Sequence, residues 1–189
     1  MKKMIFIIII SLPFNQVFSQ DKAVVEKSIF SLQTGLLGFY INNEYGISNK
    51  IVLRTEFGLD AGFFGGELRN KNTTILAPVI NFEPRWYYNI EKRALNNKII
   101  KNNNANFLTT SISYHPDWFV ISNNEFIKVY DQISIIPKWG IKRNISNSNF
   151  NYELGIGLGY RYNFLKKYGF TKNTSEAALD LHVRLGYTF

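Results

Sequence analysis

Cysteine is absent from the 189 residues and histidine occurs only twice. The first absence excludes disulfides, thiolate metal centres and a cysteine nucleophile, and the second leaves too few imidazoles for a histidine-built metal site. No metal and no cofactor is therefore expected. Proline is scarce, at five residues, and the longest apolar run, Met4 to Leu12, has nine. That is about half of what a membrane-spanning helix needs, roughly 18–20 residues. Acidic charge is the minority, 14 Asp+Glu against 22 Lys+Arg, for a formal charge of +8. What the chain has in abundance is aromatic side chains: 16 Phe, 11 Tyr and 3 Trp in a length that suits one domain.

The short apolar run belongs to an export signal. Met1-Lys2-Lys3 is a basic start, Met4 to Leu12 is the apolar stretch, Pro13 ends it, and Val17-Phe18-Ser19 offers a cleavage site between Ser19 and Gln20. The alternative is an uncleaved anchor, for which nine residues are short. Residues 1–19 are expected to be removed, leaving residues 20–189 as one domain. Loss of Lys2 and Lys3 lowers the charge from +8 to +6. That excess suits an acidic envelope surface, and an exported protein seldom meets nucleic acid.

From Phe150 to Phe164 apolar and polar residues alternate without a break. Phe150, Tyr152, Leu154, Ile156, Leu158, Tyr160, Tyr162 and Phe164 fall on one face; Asn151, Glu153, three glycines, Arg161 and Asn163 fall on the other. Period 2 predicts a strand, but globular strands usually run about 5–6 residues. A strand of this length reaches roughly 50 Å, or about 35 Å at a 45° tilt, the height of a hydrocarbon core with its interfaces. The same alternation recurs around Ile51–Phe63, Ile80–Ile90, Leu108–Tyr114, Val129–Ile141 and Ala177–Phe189. A sandwich would bury the apolar face and use shorter strands. The expectation is an all-β fold, an antiparallel transmembrane β-barrel.

The three tryptophans share one frame: Pro84-Arg85-Trp86, Pro116-Asp117-Trp118 and Pro137-Lys138-Trp139. Each is placed toward a strand end, where a missing N–H is tolerable. With antiparallel strands, Trp86 and Trp139 fall at one rim and Trp118 at the other, as two aromatic girdles. Seven strands are clear, at about 28–46, 50–63, 74–90, 106–118, 126–142, 149–164 and 176–189. The odd number points to residues 23–47, where apolar parity switches near Leu36-Leu37 between Gly35 and Gly38. Two short strands there give eight in all; one bulged strand is the alternative.

The signal, the alternating strands and the ending Leu181 to Phe189 together resemble the small outer-membrane β-barrels of Gram-negative bacteria, notably uncharacterised barrels of the Bacteroidota. The resemblance implies an even strand number, both termini in the periplasm, and Leu185, Tyr187 and Phe189 as an assembly signal read by the outer-membrane insertion machinery. It also implies outer-membrane lipid and lipopolysaccharide as surroundings; we expect a monomer. Counting back from a periplasmic Phe189 places the basic segment 91–105 (Lys92, Arg93, Lys98, Lys101 against Glu91) on the periplasmic side, partly helical over 92–100. There it could touch the anionic cell wall or a partner protein.

The inward positions carry Arg54, Arg85, Lys138, Arg161 and Arg184 against Glu56, Asp60, Glu83, Glu153 and Asp180, with His182 beside them. Balanced charge in a lumen just wide enough for side chains predicts a salt-bridged, filled interior, whereas a lining of one sign would predict a selective pore. The function expected is therefore structural, adhesive or surface-interacting, without catalysis. Two alternatives stand beside it: a narrow pore, and a lipopolysaccharide-modifying acyl hydrolase or acyltransferase. The enzyme would have to use His115 or His182. Ser113, His115 and Asp117 form a formal Ser/His/Asp set, but side chains at i and i+2 of one strand stand parallel instead of converging, and their order reverses the His-x-Ser of the lipid A deacylases. His182, flanked by Asp180 and Arg184, reads more simply as a member of the charge network.

Overall fold

The computed structural model describes residues 24–35, 38–66, 69–124 and 127–189, with backbone alone for 63–66 and 69–73. The signal segment, including Ser19 and Gln20, lies outside the described residues. Among the described residues nine strands form: β1 (Ser28–Gly35), β2 (Gly38–Gly46), β3 (Ile51–Gly66), β4 (Arg69–Trp86), β5 (Asn106–His115), β6 (Ile121–Ser122), β7 (Gln132–Asn144), β8 (Phe150–Asn163) and β9 (Thr174–Thr188). Eight of them close into an antiparallel barrel in the order β1-β2-β3-β4-β5-β7-β8-β9, with β9 returning to β1. The two-residue β6 continues beside β4 beyond the end of β5.

The parity switch in residues 23–47 resolves as two strands. Gly35 pairs with Gly38, so the chain reverses between them. Gly38 has φ of 143°, where a side chain is strained, and a Cβ there would also press on the Leu59 carbonyl and the Tyr40 hydroxyl. Inward residues are then odd in β1 (Ile29, Ser31, Gln33) and even in β2 (Tyr40, Asn42, Glu44).

Register fixes the tilt. Leu32 pairs directly with Tyr187, yet stepping the other way round through Ile41, Phe57, Ile80, Tyr114, Ile133 and Tyr162 reaches Ser175, a stagger of 12 residues along β9. Over eight strands such a stagger tilts each by about 45°.

The wall is not equally high all round. β1 and β2 have 8 and 9 residues, whereas β3, β8 and β9 have 16, 14 and 15. Residues 174–183 of β9 therefore have β8 partners but no β1 partner, and 61–66 of β3 no β2 partner, among the described residues. The ring is complete in the half nearer the chain termini and laterally open in the other half.

Pro84 stands at the expected strand end, two residues before β4 closes at Trp86, whereas Pro137 departs from it. Pro137 sits well inside β7, and the β7–β8 ladder skips the pairs between Ile135–Tyr160 and Lys138–Gly157; Pro84 makes the same kind of gap in the β4–β5 ladder. Each missing N–H thus coincides with an interrupted ladder. Val129 and Tyr130 precede β7 and are not part of it.

The connection between β4 and β5 closes the terminus end of the barrel. A short helix α1 (Ile90–Leu95) and a 3-10 turn at 101–103 fold across it, shorter than the helix expected over 92–100. Asn97, Asn102 and Asn103 adopt positive φ, which asparagine tolerates better than most side chains and which gives the asparagine-rich stretch its structural reason. Tyr87, Ile90, Ala105 and Phe107 pack with Val25 and Val52 into the apolar cluster under this plug. The plug shares the end occupied by Phe189 and residue 24; if, as the resemblance implies, the termini lie in the periplasm of an outer-membrane barrel, a thiol at Asn96→Cys should stay unlabelled by an impermeant reagent on intact cells and become labelled once the envelope is permeabilised. Labelling of intact cells would put this end outside.

Candidate functional site

Alternation along tilted strands sends apolar side chains out and charged ones in. Phe57, Ile112, Ile135, Leu158, Leu179, Leu181 and Val183 are exposed on the outer face, while Arg54, Arg85, Glu83, Lys138 and Glu153 are buried. Burying this many charges is tolerable only if each is paired and hydrogen-bonded.

Glu153 on β8 is the hub. Its carboxylate accepts from Arg85 at 2.7 and 2.9 Å and from Arg54 at 3.1 Å, and the ring of His182 lies 3.2 Å away. Glu83 accepts from Arg85 at 2.6 and 2.8 Å and from Lys138 at 2.7 Å. Lys138 also reaches Asp180 at 3.1 Å, which lies 3.2 Å from His182. Glu56 is shared by Arg54 and Arg184, the latter at 2.8 Å, and accepts from Asn81 at 2.7 Å. Arg54 also donates to Gln33 at 2.7 Å. The result is one continuous network across seven strands.

Two members were not among the expected residues. Glu44 on β2 accepts from Lys142 at 3.0 Å, Tyr87 at 3.0 Å and Asn103 at 2.8 Å, joining the network to the plug. Lys142 shares the parity of Lys138 and was readable on that signal alone. Glu44 was hidden by the parity switch between β1 and β2.

Arg161 requires a correction: it stands apart from the network, partly exposed, 3.4 Å from the still more exposed Glu176. Its level on β8 falls where β1 and β2 have already ended, and its side chain is 36 % exposed. Asp60 pairs with Gly38 at the last step of the β2–β3 ladder, at the edge of the open half. It accepts from Tyr40 at 2.7 Å and lies 2.7 Å from His115 Nε2. Asp180, a quarter exposed, marks the boundary between the halves.

Ser113, His115 and Asp117 do not meet. Ser113 contacts Ser111 at 3.3 Å, His115 turns to Asp60, and Asp117 lies 3.3 Å from Lys167. Asp117 belongs to a pin that ties the loops at the open end together. Asp131 accepts from the Asp117 backbone at 2.9 Å, Tyr114 at 3.1 Å and Lys167 at 2.5 Å, while its own N–H donates to Tyr168. Partial burial pushes the Asp131 carboxyl up, but these hydrogen bonds, that of Lys167 first, outweigh it and bring its pKa down to about 2. A carboxylate depressed below its unfolded value of about 3.9 contributes stability that is full above that pH and lost as pH falls through 2. Pepsin should therefore cut residues 116–131 slowly at pH 4 and faster toward pH 2, whereas Asp131→Asn should be cut fast already at pH 4.

On the outer face Trp86, Leu108 and Trp139 are directly paired neighbours in one row across β4, β5 and β7 near the terminus end. Trp139 donates to the Tyr88 hydroxyl at 2.9 Å, and Trp86 lies edge-on to Tyr88 at 6.0 Å. Trp118 sits exposed in the loop after β5, at the opposite end. Leu185, Tyr187 and Phe189 all face outward, with Phe189 against Phe30 at 5.7 Å and Tyr187 at 5.1 Å. Comparison with known protein families, with curated proteins and with solved structures finds no match for the chain.

Proposed function

We propose that the chain is an integral outer-membrane β-barrel protein with a structural, adhesive or surface-interaction role and no catalytic step, in which the ion-paired lumen holds a rigid scaffold. The observation that carries this reading is the inverted partition of side chains. Charged groups fill the interior while leucine, isoleucine, valine and phenylalanine cover the outside. Such an exterior is a large apolar patch in water and an ordinary surface in hydrocarbon. The aromatic row at Trp86 and Trp139, the export signal and the terminal Phe189 fit the same setting, as does the resemblance to Bacteroidota barrels. In that setting the terminus end with its plug faces the periplasm and the monomer is surrounded by lipid and lipopolysaccharide.

Spin labels placed singly along Phe150 to Phe164 in a refolded, bilayer-inserted barrel test the reading. Oxygen accessibility should alternate with period 2 and peak at Leu154, Ile156 and Leu158. Water accessibility at Ile156, or no alternation, sinks it.

The pore alternative runs against the lumen itself, where Arg85, Lys142, Glu44 and Glu153 are 0 % exposed beneath the plug. One observation favours the enzymatic alternative: the Tyr40–Asp60–His115 chain joins a carboxylate to an imidazole at the level where the β2–β3 ladder ends, beside the part of the wall that β1 and β2 do not reach. Fatty-acid release from lipopolysaccharide, lost on His115→Ala, would establish it.

A further inference from the structure

The plug carries a second cluster of charge, and this one is unbalanced. A cleft of about 500 Å³ is lined by Lys92, Arg93 and Lys98 of the plug and by Arg143 at the end of β7, together with Tyr88 and two asparagines. Among the described residues no carboxylate lines it. The one acidic residue of α1, Glu91, is held by Lys50 at 2.6 Å. Arg93 spends one nitrogen on the Ile99 carbonyl and Asn104, both at 2.9 Å, and its Nε is buried with no partner. Arg143 donates to the Lys142 carbonyl at 2.7 Å and to Asn106. Neutral oxygens position these guanidinium groups without neutralising them.

Bringing two arginines and two lysines around one half-sheltered space costs free energy through like-charge repulsion and partial desolvation. In the lumen the same chain meets that cost with glutamates; here it supplies none. An anion from outside is the missing partner. Two planar guanidinium forks suit an anion with several oxygens in different directions, as a phosphate has, better than a single planar carboxylate.

Position identifies the source. Tyr88, which lines the cleft, is bonded to Trp139 and stacked edge-on with Trp86, so the cleft opens directly beside the aromatic row. Two apolar residues of the same segment, Leu95 and Ile99, are 84 % and 41 % exposed. Apolar side chains flanking a basic cleft next to an aromatic rim are the layout of a surface that rests on lipid headgroups.

We propose that this cleft is a phosphate-binding site that holds the headgroup phosphate of an anionic phospholipid from the leaflet at the terminus end of the barrel. The inference rests on the membrane reading for its lipid source, but not for the anion site itself. It explains why Lys92, Arg93 and Lys98 gather with Arg143 around one cleft.

The test uses the full-length barrel refolded into phosphatidylcholine vesicles doped with spin-labelled phosphatidylglycerol or spin-labelled phosphatidylcholine. The motionally restricted population should favour phosphatidylglycerol by about tenfold. Arg93→Gln/Arg143→Gln should abolish the preference, Lys92→Gln/Lys98→Gln should weaken it, and Lys172→Gln at the opposite end should leave it intact. Retention of the heat-dependent gel shift shows that each variant is folded. A second arm follows inorganic phosphate by phosphorus relaxation in zwitterionic micelles. Phosphate binding without any phosphatidylglycerol preference would keep the anion site and overturn the lipid source. No binding in either arm, or competition only by soluble muropeptides, would overturn the site as proposed. Failure to float with vesicles would reject the membrane reading while the micelle arm still judges the cleft.

Discussion

Glu153→Ala should be among the most damaging single substitutions in the chain, costing on the order of 3–5 kcal/mol. Glu153 is fully buried and accepts hydrogen bonds from two arginines that are themselves at most 1 % exposed. Removing it leaves Arg54 with Glu56, Gln33 and Glu44 at 3.5 Å, and Arg85 with Glu83 and Glu44 at 3.4 Å, each short of its closest bridging carboxylate in a space closed to water. For a chain of this length the loss corresponds to a fall of roughly 10 °C in the temperature at which the folded form disappears. Glu153→Gln should lose less, because one amide oxygen can still accept from Arg85. The matching control is Glu176→Ala, which removes the same chemical group from the exposed pair with Arg161 and should change stability by less than about 0.5 kcal/mol. Heat-dependent gel migration of the three variants measures the contrast. Equal behaviour of Glu153→Ala and Glu176→Ala would show that the lumen is solvated and that its ion pairs carry little.

The contrast between those glutamates also shows where the sequence was legible. Period-2 alternation identifies which residues of a strand point inward, because a pleat leaves only two choices. It therefore read Arg54, Glu56, Glu83, Arg85, Lys138, Glu153 and Arg184 as one interior set. It carries no information about height within the barrel, which depends on stagger and on the length of neighbouring strands. Arg161 has the right parity but stands where β1 and β2 have already ended, so it meets water. Asp60 is inward for the same reason and pairs with Tyr40 and His115 instead of an arginine. Glu44 needed the opposite kind of information: the reversal at Gly35–Gly38 flips the face of everything after it, and only the φ of Gly38 explains why two strands win over one bulged strand.

The plug was the least legible part. Residues 91–105 read as a basic, partly helical connection, and their charge pattern says nothing of Tyr87, Ala105 and Phe107 turning inward to seal the barrel. Tyr87 and Phe107 keep the inward parity of Glu83, Arg85 and Thr109, but period 2 alone does not say that apolar side chains at the inward ends of strands cap the charged interior. One proline misled as well. Pro137 suggests a strand end by its missing N–H, yet the strand continues because the neighbouring ladder skips that position.

Phe107→Ala should rival the loss of Glu153 by a different mechanism. Phe107 is fully buried, lies edge-on to Tyr87 at 5.7 Å, and supports the Arg85 guanidinium at 4.1 Å from its ring centre. Its ring also occupies the space above Gly140, where any Cβ would collide with it. Truncation would open a cavity where the apolar plug meets the charged network, at a cost of about 3–5 kcal/mol, and would remove the cation–π contact that helps orient Arg85. Phe107→Leu fills part of the space and should lose roughly half as much. Gly140→Ala approaches the same contact from the facing strand and should destabilise by about 1–3 kcal/mol through overpacking. Because the cluster under the plug includes Val25, just before β1, and Val52 of β3, the loss should appear as global unfolding at lower temperature and not as local fraying of 91–105. If Phe107→Ala only accelerates proteolysis of that connection while the barrel keeps its heat resistance, the plug is a separate unit resting on the barrel and Arg85 is held by its glutamates alone.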